Sequence, residues 1–366
     1  MTKDPVCGMG IDKDKTRYHT DYQGKTYFFC SQHCQDLFKK DPETILKTRK
    51  HDSAEKSRKV VIVGAGQVGA TFAFNLMISG LASKIVLVDI NRELAAGQVL
   101  DLNHGLSFVP PCSVQSGDLT YCEDADIVVI TAGANQKPGE TRIDLVKRNA
   151  EIFKSLIPDM VKYNPRILLI VTNPVDVLTY VTLKLSNFPM NRVLGSGTVL
   201  DTARFRYQLG SHCGVDPRNV HAYILGEHGD SEVPIWSRVH IGGVLLEDYC
   251  PICGRGCTGE ERDHLFKQVK NAAYEIINKK GATNFAISLA LVRIVGSILR
   301  DENRILTVST LLDGYYGIEQ VCLSVPVLIN RNGISKIIQI KMNEQEKLQF
   351  QNSAKELRRV IKDIGY

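Results

Sequence analysis

The side chains best suited to chemistry in this chain are His228, inside Gly226-Glu227-His228-Gly229-Asp230, and the pair Asp201 and Arg204. An imidazole titrates near neutrality, so His228 can give a proton to a reacting atom or take one from it. A carboxylate such as Asp201 on the other ring nitrogen would fix the tautomer and favour the imidazolium. If the stretch around Asp201 is helical, Arg204, three residues on, projects from the same face into the same pocket. A guanidinium there can hold a carboxylate in bidentate fashion. The combination is a proton donor beside a positive fork for an organic acid.

A second set lies near the start of the main body. The apolar run Lys59-Val60-Val61-Ile62-Val63 leads directly into Gly64-Ala65-Gly66-Gln67-Val68-Gly69 and then into an apolar helical stretch ending near Gly80. This is the strand, turn and helix context in which Gly-x-Gly-x-x-Gly carries information. Gly64 can make the tight turn, Gly66 lets backbone approach a pyrophosphate, and Gly69 allows close packing of helix on strand. The helix N-terminus offers free N–H groups to the anion. Asp89, at the end of the next strand-like run, is placed to accept from ribose hydroxyls and to repel a 2′-phosphate, which favours NAD over NADP.

Cysteines form two further groups. Cys7, Cys30 and Cys34 follow the spacing Cys-x22-Cys-x3-Cys, and Cys250, Cys253 and Cys257 fall in CPICGRGC. Three thiolates can bind Zn²⁺ or copper, with His33 or an external group as fourth ligand in the first set and His264 or another chain in the second. Cys112, Cys122, Cys213 and Cys322 stand alone and read as packing residues. The N-terminus has no apolar core of a signal peptide, so the ten cysteines are expected as thiols or metal ligands in the reducing cytosol.

The elements that must position these groups are legible as texture. Residues 1–46 form a Tyr-, Phe- and Cys-rich module, and the charged stretch 47–58 reads as a linker or a solvated helix. Residues 59–197 alternate apolar runs with helical patterns, as a parallel sheet buried on both faces requires. Residues 198–366 read as an α+β half that closes on a helix with Phe350, Ala354, Leu357, Ile361 and Ile364 on one face. The fold class is therefore α/β, a Rossmann-type doubly wound sheet with an α+β substrate domain behind a small α+β cysteine module. Lys and Arg outnumber Asp and Glu by 13 to 9 in residues 1–59 but only by 32 to 31 thereafter, so no nucleic-acid-binding stripe is expected. Nor does any run of apolar residues reach the length of a membrane span.

GAGQVGA, TAGANQKPGETR, VTNPVDVL, GSGTVLDTARFR and GEHGDSE occur in the order and at the spacing of L-lactate dehydrogenases, which residues 58 to about 364 resemble. Reducing a 2-keto acid needs a proton donor, a group to polarise the carbonyl and a fork for the carboxylate. The resemblance implies an NAD-dependent enzyme that interconverts pyruvate and L-lactate in glycolysis and fermentation, with His228 as acid and base, Asp201 behind it and Arg204 on the substrate carboxylate. It further implies that Arg142, on a mobile lid, polarises the keto oxygen. Asn173 would bond substrate and cofactor, and Thr283 would face the substrate's methyl side. Val68, Gly133, Ala134, Val171 and Ser196 would line the dinucleotide with the glycine loop. Gln136 stands where the similar malate dehydrogenases carry an Arg, which implies preference for pyruvate over oxaloacetate because a second buried carboxylate would be unpaired. Bacterial members of this type are activated by fructose 1,6-bisphosphate through residues matching Arg206 and His221, and assemble as homotetramers. Residues 1–46, with DPVCGM, GKTYFFCSQHC and LFKKDPE, resemble the YHS family, although Tyr18-His19-Thr20 replaces its Tyr-His-Ser. Two other readings remain: a dehydrogenase of another 2-hydroxy acid, such as malate, or a metal-sensing protein built on a dehydrogenase scaffold.

Overall fold

The computed structural model describes residues 2–7, 9–46, 58–134 and 142–366, in two compact units, Met1–Ser57 and Arg58–Tyr366. Apart from Arg58, the stretch read as a linker lies outside the described residues. So does Gln136.

The larger unit is built on a nine-stranded sheet. Six parallel strands run in the order Val193–Gly195, Leu168–Ile170, Ile127–Ile130, Lys59–Val63, Lys84–Val88 and Ser113–Gly117. This is a Rossmann sheet. Its central strands read as continuous apolar runs because helices cover both faces, and Val60 to Ile62, Ile85 to Leu87 and Ile127 to Ile130 are wholly buried. Strand order reverses beside Lys59–Val63, so a crevice opens beyond the carboxyl ends of the strands. Gly64, Asp89, Thr131 to Ala134, Val171 to Asn173 and Ser196 all follow those ends.

The second half is α+β, as expected, and shares the sheet of the first. Its long strands Arg304–Asp313, Glu319–Asn330 and Gly333–Ile337 extend the same sheet in antiparallel fashion, joined to it through Gly195 opposite Ser309. The physical reason is the open edge that Val193–Gly195 would otherwise present. The helices of this half include Val199–Cys213 and Gly259–Lys280. They enclose a separate core of Phe205, Leu209, Val220, Ala222, Ile224, Leu265 and Val269.

The chain ends in helix Glu344–Asp363, started by a capping box in which Asn343 and Glu346 satisfy each other's backbone N–H groups. Phe350, Ala354, Leu357 and Ile361 are buried as their spacing requires, while Ile364 sits at the cap. No described helix is long and apolar enough to cross a membrane.

The N-terminal unit pairs His19–Tyr22 with Lys25–Phe28 and lays helix Gln32–Lys40 on the hairpin. Its core is three buried side chains, Phe29, Cys34 and Phe38, which is little apolar surface for an independent fold.

Phe350 is fully buried and stacks edge-on against Tyr316. Phe350→Ala is expected to cost about 3–5 kcal/mol, read as a lowered urea midpoint with an unchanged slope.

Candidate active site

The glycine loop has the geometry of an anion cradle. Gly64 sits at φ 112°, and a Cβ on Gly69 would lie 1.9 Å from the Gly64 carbonyl oxygen, so neither position tolerates a side chain. Helix Gln67–Ser79 begins at Gly66 with no side-chain cap, leaving its first N–H groups free. Asp89 reaches back over this loop. Its Oδ2 accepts from the Ala65 N–H at 2.7 Å and its Oδ1 from the Asn91 N–H at 2.8 Å. These groups fit a bound dinucleotide.

A residue that sequence reasoning missed organises the opposite wall. Buried Asn149 accepts from the Ala134 N–H at 2.8 Å and donates to the Asn173 carbonyl at 2.9 Å, tying together two strand ends that both face the crevice. Gly133 packs against Thr172, Val68 is half-buried beside the core, and Ser196 donates its backbone N–H to Ile170. Asn173 itself is exposed and is joined to Pro174 by a cis peptide bond.

Beyond the crevice, helix Val199–Cys213 presents Asp201 and Arg204 together, as their spacing predicts. Arg204 Nη1 donates to Asp201 Oδ1 at 2.8 Å, and Asp201 Oδ2 bonds His228 Nδ1 at 2.5 Å. Asp201 is almost wholly buried. Burial alone would raise its pKa, but His228 and Arg204 hold it below the usual carboxylate value. Burial likewise disfavours a charged His228. The Asp201 carboxylate and its hydrogen bond, aided by Asp176 and Glu232, outweigh that and push the ring up to about 9.

Asp176, from helix Val175–Ser186, was not singled out in the sequence. Its Oδ2 accepts the His228 backbone N–H at 2.7 Å, and burial raises it to about 7. The only sequence signal was its place in VTNPVDVL. Glu232 is raised well above its normal value, first by burial and then by Asp201.

Arg142 opens helix Arg142–Val161. Thr283 lies half-buried just ahead of helix Phe285–Leu299, whose Asn284 and Ser288 bond Thr71 and Asn75 on the dinucleotide helix. Arg206 donates to the carbonyl of Ala222, one residue on from exposed His221, and lies over the Tyr223 ring. It lines a cavity with Arg293, Leu289, Ile305 and Thr307.

In the N-terminal unit the structure gathers Asp4, Cys7, Cys30 and Cys34, with ligand atoms all within 4.8 Å of one another. Cys7 and Cys30 sulfurs are 3.4 Å apart, and those of Cys30 and Cys34 are 3.7 Å apart. His33 is exposed and is not in this group, which corrects the expectation of it as fourth ligand. Neighbouring helical positions diverge by about 100°, so His33 cannot share the face of Cys34. Asp4 instead accepts from the N–H groups of Cys30, Val6 and Cys7, knotting the thiols together. Its hydrogen bond pushes the Cys30 thiol up to about 12, so ionising it needs a cation nearby. Beside the second cysteine group His264 is exposed and bonds Gln268.

Residues 58–195 match the lactate/malate dehydrogenase NAD binding domain, 198–365 the alpha/beta C-terminal domain of the same family, and 2–49 the YHS domain. The chain is 57% identical over 308 residues to an L-lactate dehydrogenase of Acetivibrio thermocellus, covering 84% of this chain and 97% of that one. It is 53% identical over 311 residues to L-lactate dehydrogenase 1 of Clostridium acetobutylicum, covering 85% and 99%. Among solved structures it superposes on a lactate dehydrogenase from a Medee basin deep-sea metagenome library with TM-score 0.82 at 46% identity, covering 85% of this chain and 99% of that one. A minor L-lactate dehydrogenase from Enterococcus mundtii in ligands-bound form gives TM-score 0.81 at 44% identity, covering 84% and 98%.

Titration of the His228 ring by NMR is expected to give a pKa near 9 in the native chain. In Asp201→Asn the value should fall to or below the free-imidazole value of 6.5, because burial then acts with little opposition. Since the folded pKa is the higher one, the pair's contribution to stability is complete below pH 6.5 and disappears as pH rises through about 9. Unfolding midpoints of the two proteins should therefore converge at alkaline pH.

Proposed function

This chain belongs to the lactate/malate dehydrogenase family with a YHS domain ahead of it, it is an NAD-dependent L-lactate dehydrogenase, and we propose that His228, Asp201 and Arg204 carry its chemistry. The observation that supports this most strongly is the single buried carboxylate shared by His228 Nδ1 and Arg204 Nη1. In pyruvate reduction His228 gives its Nε2 proton to the keto oxygen, and in lactate oxidation it takes that proton back. Asp201 holds the ring in one tautomer and stabilises its charged form. Arg204 grips the substrate carboxylate with the donors that Asp201 does not use.

NAD, when bound, supplies the hydride acceptor for lactate oxidation and, reduced, the hydride donor. Gly64, Gly66, Val68, Gly69, Asp89, Gly133, Ala134, Val171, Asn173 and Ser196 are the residues we assign to holding it. Arg142 polarises the keto oxygen, Asn173 bonds substrate and cofactor, and Thr283 faces the methyl group. Gln136 sets the preference for pyruvate, because a neutral amide cannot neutralise a second carboxylate. The dinucleotide half ends at residue 197 and the substrate half begins at 198.

Arg206 and His221 form the fructose 1,6-bisphosphate site of a homotetramer. In support, Arg206 bonds next to His221 in the chain, and Phe285, Leu289 and Ile305 leave apolar surface uncovered. The N-terminal unit holds Zn²⁺ or copper through Cys7, Cys30 and Cys34, and cytosolic residence keeps these thiols reduced.

NADH oxidation should be faster with pyruvate than with oxaloacetate by orders of magnitude in kcat/KM, and fructose 1,6-bisphosphate should stimulate it. Pyruvate reduction should persist through neutrality and decline above about pH 9, where His228 loses its proton. Equal turnover of the two acids would overturn the role of Gln136, and an unchanged rate with the bisphosphate would overturn the site at Arg206 and His221.

A further inference from the structure

Cys213, Cys250 and Cys257 share one small core at the far end of the helix that carries Asp201 and Arg204, and Cys253 lies one helical turn from Cys250. Cys213 is the last residue of helix Val199–Cys213 and is buried. Cys250 and Cys253 lie on helix Leu246–Cys253, and Cys257 follows after Gly254 and Gly256, at φ 66° and φ 59°. Two left-handed glycines fold the chain back tightly between the second and third cysteines. Cys250 and Cys257 pack on the same small core as Cys213.

The turn is clamped to the helix end by Arg255. Its guanidinium donates to the carbonyls of Ser211 at 3.1 Å and His212 at 2.8 Å, the unsatisfied oxygens just before Cys213. Arg262 hydrogen-bonds Cys257.

We propose that Cys213, Cys250, Cys253 and Cys257 form a structural zinc site, with Cys213 in the place the sequence alone offered to His264 or another chain. Cys-x2-Cys-x3-Cys with a distant fourth cysteine is a closed tetrahedral thiolate set with no open position, so the ion takes no part in turnover. Each thiol gives up its proton on binding, and four thiolates around Zn²⁺ leave two negative charges. Arg255 and Arg262 lie against the group to offset them. Among the described residues only the N-terminal group has its ligand atoms all within 4.8 Å, so binding here requires these four sulfurs to close in on the ion. Its effect is to fix the C-terminal end of the helix whose first turn presents Asp201.

The test is zinc content per chain of the full-length protein by elemental analysis, in a Cys34→Ser background that removes the N-terminal group. One equivalent is expected, lost in Cys213→Ser and in Cys253→Ser and kept in His264→Ala. Titrating the parent Cys34→Ser protein with a thiol reagent should release that equivalent as four thiols react, a readout that does not depend on the folding of further variants. Retention of zinc by Cys213→Ser would overturn the four-cysteine assignment. Absence of zinc from the Cys34→Ser protein, with all four thiols reacting at the same rate whether or not zinc is added, would overturn the site altogether.

Discussion

One buried carboxylate sets the terms for the rest of the active site. Asp201 is nearly inaccessible to water, and an unpaired charge there would cost several kcal/mol. It stays ionised because a guanidinium lies on one oxygen and an imidazole on the other. Each partner comes from a different part of the chain: Arg204 from the next turn of the same helix, His228 from the loop beyond strand Ile224–Leu225. The dinucleotide half reaches this pair through Asp176, which holds the His228 backbone. The architecture therefore makes sense as a frame that carries two groups to a single carboxylate and holds one of them from behind through Asp176.

What could be read beforehand follows from how local each signal is. The glycine loop and Asp89 belong to a strand, turn and helix unit whose residue types are fixed by close approach, so the pattern carried its own geometry. Asp201 and Arg204 are three apart on a helix and share a face by periodicity alone. The partnership of Asp201 with His228 spans 27 residues, so chemistry and the family resemblance suggested it but no local periodicity could show it. Asn149 and Asp176 sit within ordinary helical sequence, and their roles exist only once strands 127–130 and 168–170 stand side by side.

The cysteines teach the same lesson from the other direction. Spacing grouped Cys7, Cys30 and Cys34, and the fold brings their sulfurs together. For a fourth ligand the sequence offered His33 or an external group in the first set and His264 or another chain in the second. His33 and His264 were chosen for being close in sequence, yet helical geometry points them outward. Asp4 and Cys213 are distant in sequence and arrive through a strand pairing and a helix end. Asp4 also shows that a carboxylate beside thiols can be a structural knot before it is a ligand, since it already accepts three backbone N–H groups.

Four ionisable groups crowd around the reacting centre, and their environments push them apart. Asp201 is held ionised, His228 is held protonated, Asp176 is raised to about 7 and Glu232 well above its normal value. The two carboxylates without a strong cationic partner thus move toward the neutral form, while the one that faces Arg204 and His228 keeps its charge. With the permanently charged Arg204 included, the site near neutrality tends toward a net positive charge. Had all three carboxyl groups remained ionised, they would have left a net negative pocket beside the fork. Burial of Asp176 and Glu232 is therefore more than packing: by shifting both toward the neutral form it favours an organic acid in the pocket, while Asp201 preserves the proton that His228 must deliver.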